Sequence, residues 1–391
     1  MVVRHPRNRR RDVTIYLPSI GPLLLNEPRP PAGGAEVQML LIARGLAARG
    51  ARVSVVAADG SDSVPEVVDG VDVVRRSPYR GGAPMMGKLS EFREIYTSIA
   101  AADAEVVVTM TAVPATALIA LSAHLQRRSF VYAAASDSDF ERDRLETKER
   151  NVQLFYLAVR LADLVIVQGE RQRGMCQSRF GRLPLVIKSV AEPGELRTST
   201  PEAFLWAGRV ISYKRPLAFL DLARAVPEAR FWMLGIPQPG ERNVRLLADV
   251  RRAAAELPNL ELLDPRPRDD VMPLIDRAVA IVNTSEFEGL SNTFLEAWSR
   301  GVPALSLSHD PDGLIERLGL GSFAHGSGPR LAAVARELWR LRNEQRELAQ
   351  RCRRYVLDAH RPETVYGQWF DALGVPRATM VAEPEAAAAT A

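Results

Sequence analysis

The chain has 391 residues and a formal net charge of +4, with 47% hydrophobic and 25% charged residues, which excludes wholesale disorder. Two cysteines and five scattered histidines show neither a disulfide framework nor the spacing of a zinc or redox site. No apolar run reaches the roughly 18 residues that a membrane-spanning helix needs, and the arginine-rich N-terminus lacks the apolar part of a secretory signal. We expect a soluble, cytoplasmic protein. Its basic N-terminus is either a solvated tail or a peripheral contact with anionic lipid at the inner face of the cell membrane.

The first half of the chain alternates short apolar runs with longer amphipathic ones. The apolar runs predict strands at residues 12–17, 52–57, 71–75, 105–110, 129–134 and 163–168. Amphipathic segments predict helices at 35–49, 114–126 and 142–162. This alternation is typical of a parallel sheet covered by helices on both faces.

The alternation starts again after the polar segment 191–201, which reads as a linker. Strands are predicted at 203–207, 229–234, 259–263, 278–283 and 302–307, and helices at 215–225, 241–256, 269–277 and 292–300. A long helix is predicted from 329 to about 359 and another over 363–373, followed by a disordered low-complexity tail at 376–391.

The predicted fold class is therefore α/β, with two Rossmann-like, doubly wound domains. The N-terminal domain spans residues 1–192 and the C-terminal domain residues 193–361. A last helix, at about 362–375, is expected to pack back on the N-terminal domain.

The most specific signal is the segment 282–296, VNTSEFEGLSNTFLE, in which a buried strand leads into a turn and a helix. Open α/β sheets bind ligands beyond the carboxyl ends of their strands, where a helix N-terminus presents unpaired amides to an anion. Gly289 lets the backbone approach closely. Glu288 and Glu296 can accept hydrogen bonds from sugar hydroxyls, so the segment indicates a nucleotide-sugar rather than a bare nucleotide. The alternative is a solvated glutamate pair beside a helix cap at Ser291.

Two other loops follow predicted strands. The loop at 208–216 carries Arg209 and Lys214, two cations that can neutralise a leaving diphosphate, although a basic surface loop is the alternative. Gly33 and Gly34 open a helix, but they do not form the GxGxxG pattern of a dinucleotide site. They predict either a second helix N-terminus facing the diphosphate or a plain turn.

The segments 33–50, 207–216 and 283–303 resemble family 4 of the retaining glycosyltransferases, which have the GT-B fold, and the resemblance extends to about residue 373. It implies transfer of a sugar from a UDP- or GDP-sugar donor to a hydroxyl of a glycan, lipid-linked or small-molecule acceptor, in glycan, polysaccharide or glycolipid biosynthesis. Such enzymes retain the anomeric configuration by front-face attack, in which the leaving phosphate helps to deprotonate the acceptor. The resemblance implies no metal, no other cofactor and no nucleic-acid partner.

The resemblance also implies roles for individual residues. Arg209 and Lys214 would bind the donor diphosphate, Glu288 the sugar hydroxyls and Glu296 the ribose. The phosphates would contact the backbone of one run, comprising Gly289, Leu290, Ser291, Asn292 and Thr293. Gly33 and Gly34 would approach from the N-terminal domain, and Gly208 and Arg266 complete the donor-binding set. The catalytic set is Glu288, Arg209, Lys214 and Asp137.

The sequence departs from the family at two positions. Ala135 stands where the family often has a histidine, and Asp137 is the nearest substitute. Asp264 stands where a glycine is common in the base-binding loop. Asp137 and Asp139 also form a DxD, which binds a metal in the other major glycosyltransferase fold, GT-A, but which is equally typical of a helix cap.

Two other functions remain open. A catalytically silent GT-B-like scaffold or activator subunit would account for Ala135, and a sugar-nucleotide 2-epimerase would share the fold. The intact set of Arg209, Lys214, Glu288 and Glu296 favours a transferase, because a scaffold needs no complete diphosphate site. The sequence leaves the sugar, the base, the acceptor, the pathway and the oligomeric state open.

Overall fold

The computed structural model describes residues 12–24, 33–58, 66–76, 85–110, 112–141 and 149–374. The predicted disordered tail at 376–391 lies outside the described residues. No helix in the described part of the chain is long and apolar enough to cross a lipid bilayer. Two parallel sheets form the centre of the molecule, one in each half of the chain.

Eight of the described strands form the N-terminal sheet. In chain order they are β1 (Val13–Tyr16), β2 (Val53–Ala58), β3 (Val67–Val68), β4 (Val71–Arg76), β5 (Val106–Thr109), β6 (Ser129–Ala133), β7 (Leu164–Val167) and β8 (Leu185–Val186). The sheet order is β3-β4-β2-β1-β5-β6-β7-β8, and only the short edge strand β3 pairs antiparallel. The helices of this domain are α1 (Gly34–Ala47), α2 (Met85–Ala102), α3 (Ala115–Leu125), α4 (Glu149–Leu161) and α5 (Glu170–Phe180).

Helices cover both faces of this sheet because successive strand residues point to opposite faces. In β5, Val106 and Val108 join the core beneath α1, whereas Val107 joins the core beneath α2, α3 and α4. Both faces are apolar, so the central strands β1, β2, β5, β6 and β7 consist mainly of apolar residues, as expected for a buried parallel sheet.

The C-terminal sheet contains six described strands, all parallel. They are β9 (Ala203–Arg209), β10 (Phe231–Ile236), β11 (Leu260–Leu263), β12 (Ala278–Asn283), β13 (Ala304–Ser306) and β14 (Gly321–Phe323), in the order β11-β10-β9-β12-β13-β14. The helices are α6 (Pro216–Ala225), α7 (Glu241–Ala255), α8 (Arg268–Asp276), α9 (Asn292–Ser299), α10 (Leu314–Arg317), α11 (Gly328–Arg340) and α12 (Arg346–Ala359). The prediction of two doubly wound Rossmann-like domains is confirmed.

The chain crosses between the domains twice, and the two crossings lie side by side. The Ala191 amide donates to the His360 carbonyl at 3.0 Å, and the His360 ring contacts the Ser189 carbonyl at 2.7 Å. The last helix, α13 (Pro362–Leu373), then packs against α1 in the N-terminal core. A Cβ on Gly45 of α1 would lie 2.2 Å from the Tyr366 ring, so the glycine makes room for this helix.

The prediction of one long helix from 329 to about 359 is wrong. The helices α11 and α12 are separate, and the chain turns at residues 341–345 between them. The reason is that α11 packs against α6 while α12 packs against α9. The predictions also missed α2, α5 and the short strands β3, β8 and β14. The helix predicted over 142–162 is described from Glu149, and residues 142–148 lie outside the described residues.

Candidate active site

The loop after β9 and the turn after β12 lie together because these strands are neighbours in the sheet. The Glu286 amide donates to the Tyr213 carbonyl at 2.9 Å. The Thr284 hydroxyl donates to the Lys214 carbonyl at 2.7 Å and accepts from the buried Trp206 indole at 3.0 Å. These bonds fix the basic loop against the carboxyl edge of the sheet, where open α/β sheets bind ligands.

Lys214 and Glu288, which are 74 residues apart, form an ion pair at this edge. The Lys214 Nζ lies 2.6 Å from Glu288 Oε1 and also contacts Oε2. The two side chains are only 15% and 18% exposed. The Ser285 hydroxyl donates a further hydrogen bond to Glu288 Oε2 at 2.9 Å. The sequence predicts separate roles for the two residues, whereas in the structure they form one ion pair.

The ion pair controls the charge of Glu288. Burial by itself would raise the pKa of this carboxyl, but the Lys214 ammonium and the Ser285 hydroxyl outweigh it, so the pKa lies below its usual value. Glu288 is therefore ionised at neutral pH and can accept hydrogen bonds from hydroxyl groups. Arg209 lies at the rim of the same loop, where it donates to the Tyr213 hydroxyl at 3.1 Å.

Helix α9 begins directly after this turn. Ser291 is at its N-cap, but within the described residues the Ser291 side chain accepts no capping hydrogen bond. Asn292 instead reaches across the cleft, where its Nδ2 donates to the Gly34 carbonyl at 3.0 Å and its Oδ1 accepts from Gln38 Nε2 at 3.0 Å. The starts of α9 and α1 therefore face each other. A Cβ on Gly34 would lie 3.1 Å from Asn292 Nδ2, whereas Gly33 faces Glu36 of its own helix.

Gly289 contacts the N-terminal domain. A Cβ at this position would lie 2.5 Å from the Ala135 carbonyl oxygen and 3.0 Å from Gln168 Oε1. The sequence predicts that this glycine lets the backbone approach a ligand. In the structure, the nearest atom to a Cβ at this position belongs to Ala135 of the N-terminal domain. The glycine thus brings the turn against Ala135, the position where the family often has a histidine.

His309 was missed by the sequence analysis. It follows the carboxyl end of β13, and its Nε2 lies 3.2 Å from the Gly289 carbonyl oxygen. Burial lowers the pKa of His309, although the nearby Glu288 charge opposes this shift. The neutral ring therefore donates from Nε2 to Gly289 and supports the turn. Its place after a strand of the same sheet was the available signal.

Glu296 lies on α9, further from the strand ends. Its carboxylate pairs with Arg268 at 2.6 Å and its side chain is 14% exposed. Burial raises the pKa of Glu296 despite the charge of Arg268. The sequence predicts Arg266, not Arg268, in the donor-binding set. In the structure the Arg266 Nε donates to the Asp264 carbonyl at 3.3 Å. Arg268 is thus the cation beside Glu296.

The two aspartates of the DxD differ in their surroundings. Asp139 Oδ2 accepts hydrogen bonds from the Tyr132 hydroxyl and from the amides of Ala135 and Ser136, which gives it the capping role that was the alternative interpretation. Asp137 pairs with Arg171 of α5 at 2.9 Å. Burial raises the pKa of Asp137 to about 6, although Arg171 opposes the shift. Within the described ranges, no three His, Cys, Asp or Glu side chains cluster so that they could hold a metal ion.

The fold is similar to that of proteins of known structure. The structure is similar to that of sucrose-phosphate synthase from Thermosynechococcus elongatus, with a TM-score of 0.76 and 14% identity over 93% of this chain and 99% of that chain. Residues 33–184 match the family described as glycosyl transferase 4-like domain. Residues 33–184 thus resemble a glycosyl transferase 4-like domain, and the whole chain has the GT-B fold.

Two further solved structures are similar to this chain over nearly their whole length. HepE of Anabaena in complex with UDP and glucose has a TM-score of 0.74 and 18% identity, over 94% of this chain and 100% of that chain. A glycosyltransferase from Rickettsia africae has a TM-score of 0.69 and 13% identity, over 94% of this chain and 98% of that chain. At these identities the likeness concerns the fold. No curated protein matches the chain significantly.

Proposed function

We propose that the protein is a glycosyltransferase that transfers a sugar from a UDP- or GDP-sugar to a hydroxyl acceptor with retention of the anomeric configuration. The observation that carries the proposal is the partly buried Lys214–Glu288 pair at the carboxyl edge of the C-terminal sheet, beside the start of α9. Structures of HepE that contain UDP-glucose, or UDP with glucose, support a nucleotide-sugar donor for this fold.

In this proposal the donor diphosphate binds Lys214 and Arg209 and the amides of residues 289–293, while Glu288 binds the sugar and Glu296 the ribose. Gly33, Gly34, Gly208 and Arg266 line the same donor site. Lys214 neutralises Glu288, and its ammonium group would contact both the Glu288 carboxylate and a bound diphosphate. As the bond to the sugar breaks, negative charge grows on the diphosphate, and a fixed cation stabilises it most at that moment. Two protein cations in this place let the reaction proceed without a divalent metal.

On the acceptor side we assign Asp137 the role of a proton acceptor or of an orienting group. With its pKa at about 6 it is mainly ionised at neutral pH, and its carboxylate can accept a hydrogen bond from an incoming hydroxyl. The leaving phosphate remains the principal base in front-face attack, so Asp137 assists the phosphate.

The proposal is tested by measuring nucleotide release from a panel of UDP- and GDP-sugars, with and without sugar, glycan and lipid-linked acceptors. Release that depends on an acceptor, with a product of unchanged anomeric configuration by NMR, is the expected result. Inversion of the configuration would overturn retention. Rapid acceptor-independent release with an epimerised sugar would identify a 2-epimerase. Failure of every donor to raise the melting temperature would favour the silent scaffold.

A further inference from the structure

Asp312, in the loop between β13 and α10, reaches from the C-terminal domain to the first turn of α5 in the N-terminal domain. Its Oδ2 accepts the Glu170 amide and its Oδ1 accepts the Arg171 amide, both at 2.9 Å. The first amides of a helix have no partner within the helix, and Gly169 at the N-cap has no side chain to supply one. One domain thus caps a helix of the other, and the negative carboxylate lies at the positive end of the helix dipole.

The backbone of Asp312 and the absence of a side chain at Gly169 both allow this contact. Asp312 has a φ of 50°, a left-handed conformation that costs free energy for a residue with a side chain. Gly169 has an extended backbone with a φ of −158°, so its conformation does not require glycine. A Cβ there would lie 2.3 Å from Asp312 Oδ2, and the three nearest heavy atoms all belong to Asp312. The contact with the opposite domain therefore requires a residue without a Cβ at this position.

The capped turn is the turn that holds Asp137. Arg171, whose amide binds Asp312, pairs through its guanidinium with Asp137 at 2.9 Å. Gly289 contacts Ala135, two residues before Asp137, from the same C-terminal domain. The C-terminal domain therefore contacts the surroundings of Asp137 at two separate points.

We propose that Asp312 is an interdomain positioning residue. When the cleft is closed, its carboxylate caps α5 and fixes Arg171, which in turn fixes Asp137. When the domains separate, α5 loses its cap and Asp137 loses this support. The cap follows from geometry alone, whereas its consequence for turnover rests on the proposed function.

Hydrogen exchange at the Glu170 and Arg171 amides of the full chain tests the cap. Asp312→Gly removes the carboxylate and suits the left-handed backbone, and Gly169→Ala blocks the contact from the other side. The matched control is Asp310→Ala, because Asp310 caps the amides of Ile315 and Glu316 within its own domain.

We expect exchange at the two α5 amides to accelerate about ten- to a hundredfold in Asp312→Gly and Gly169→Ala, as for loss of hydrogen bonds to a charged group. The control should accelerate only the amides that Asp310 caps. The cap would be overturned if the Glu170 and Arg171 amides exchanged at wild-type rates in both test variants. It would also be overturned if these two amides were accelerated as strongly in the control as in the test variants.

Turnover tests the positioning role. In both test variants we expect kcat to fall while the donor KM is unchanged, because the donor site lies in the C-terminal domain. An unchanged kcat despite accelerated exchange would overturn positioning. If the wild-type chain turned over no donor, the proposed function would be refuted. Hydrogen exchange at the Glu170 and Arg171 amides would still show whether Asp312 caps the helix.

Discussion

Replacing Lys214 by methionine should destabilise the C-terminal domain, because it leaves the Glu288 carboxylate buried without its cation. The side chains are 15% and 18% exposed, so this pair is partly buried. Removing one partner of a fully buried ion pair costs about 3–5 kcal/mol, and the residual exposure places the expected loss at the lower end, about 3 kcal/mol. For a domain of this size, that corresponds to a fall in Tm of roughly 6–12 °C.

The loss should depend on pH. In the wild type the pKa of Glu288 lies below its unfolded value, so the carboxylate contributes stability above about pH 4.3 that is lost as the pH falls through the folded pKa. Without Lys214, burial dominates and raises the pKa of Glu288 above the unfolded value. The variant then loses stability as the pH rises from about 4.3 towards its new pKa. The difference between the proteins should therefore be widest at neutral pH and shrink towards pH 5.

Urea unfolding followed by tryptophan fluorescence measures this difference, since four tryptophans lie in the C-terminal domain: Trp206, Trp232, Trp298 and Trp339. The control is the double variant Lys214→Met with Glu288→Gln, which removes both charges and should recover part of the lost stability. If Lys214→Met were as stable as the wild type at pH 7, or if the double variant were no more stable than the single one, the pair would not be coupled as the structure indicates.

Three further outcomes are expected. Glu288→Gln should weaken binding of a nucleotide-sugar but hardly affect the nucleoside diphosphate, whereas Glu296→Gln should weaken both; calorimetric titration showing equal losses for Glu288→Gln would contradict the assigned roles. The acid limb of the kcat/KM profile should lie near pH 6, where Asp137 titrates, and should flatten in Asp137→Asn; an unchanged limb would remove Asp137 from the reaction. Turnover should persist in excess EDTA, and a loss restored only by Mn²⁺ or Mg²⁺ would return attention to the DxD.

The sequence predicted the fold class better than it predicted which side chains pair with one another at the candidate site. The strand–turn–helix pattern at 282–296 and the basic loop at 208–216 follow from local residue order. The pairing of Lys214 with Glu288 depends on β9 lying next to β12, which is a property of the sheet order. Residues whose contacts lie in distant segments, such as Arg268 and Asp312, carry no local pattern that identifies them.

The errors in the fold have the same origin. Residues 329–359 carry one nearly continuous helical pattern, yet the chain turns there because its two halves pack against different helices. Local periodicity reports which face is apolar but not which neighbour covers it. The missed helix α5 is polar along most of its length, and its N-terminus is completed by Asp312 of the other domain.

The contact between the domains includes glycines at which a Cβ would collide with the opposite domain. Gly34 faces Asn292, Gly289 faces the Ala135 carbonyl, and Gly169 faces the Asp312 carboxylate, and in each case the nearest obstacle to a Cβ belongs to the other domain. None of the three has a positive φ, so the backbone of each position would accept alanine. A methyl group at these positions should therefore disturb the approach of the domains more than the folding of either one. Within its own domain, each of these glycines lies in an ordinary turn or helix start. The atoms that a Cβ would meet belong to the opposite domain, so the local sequence does not reveal the constraint.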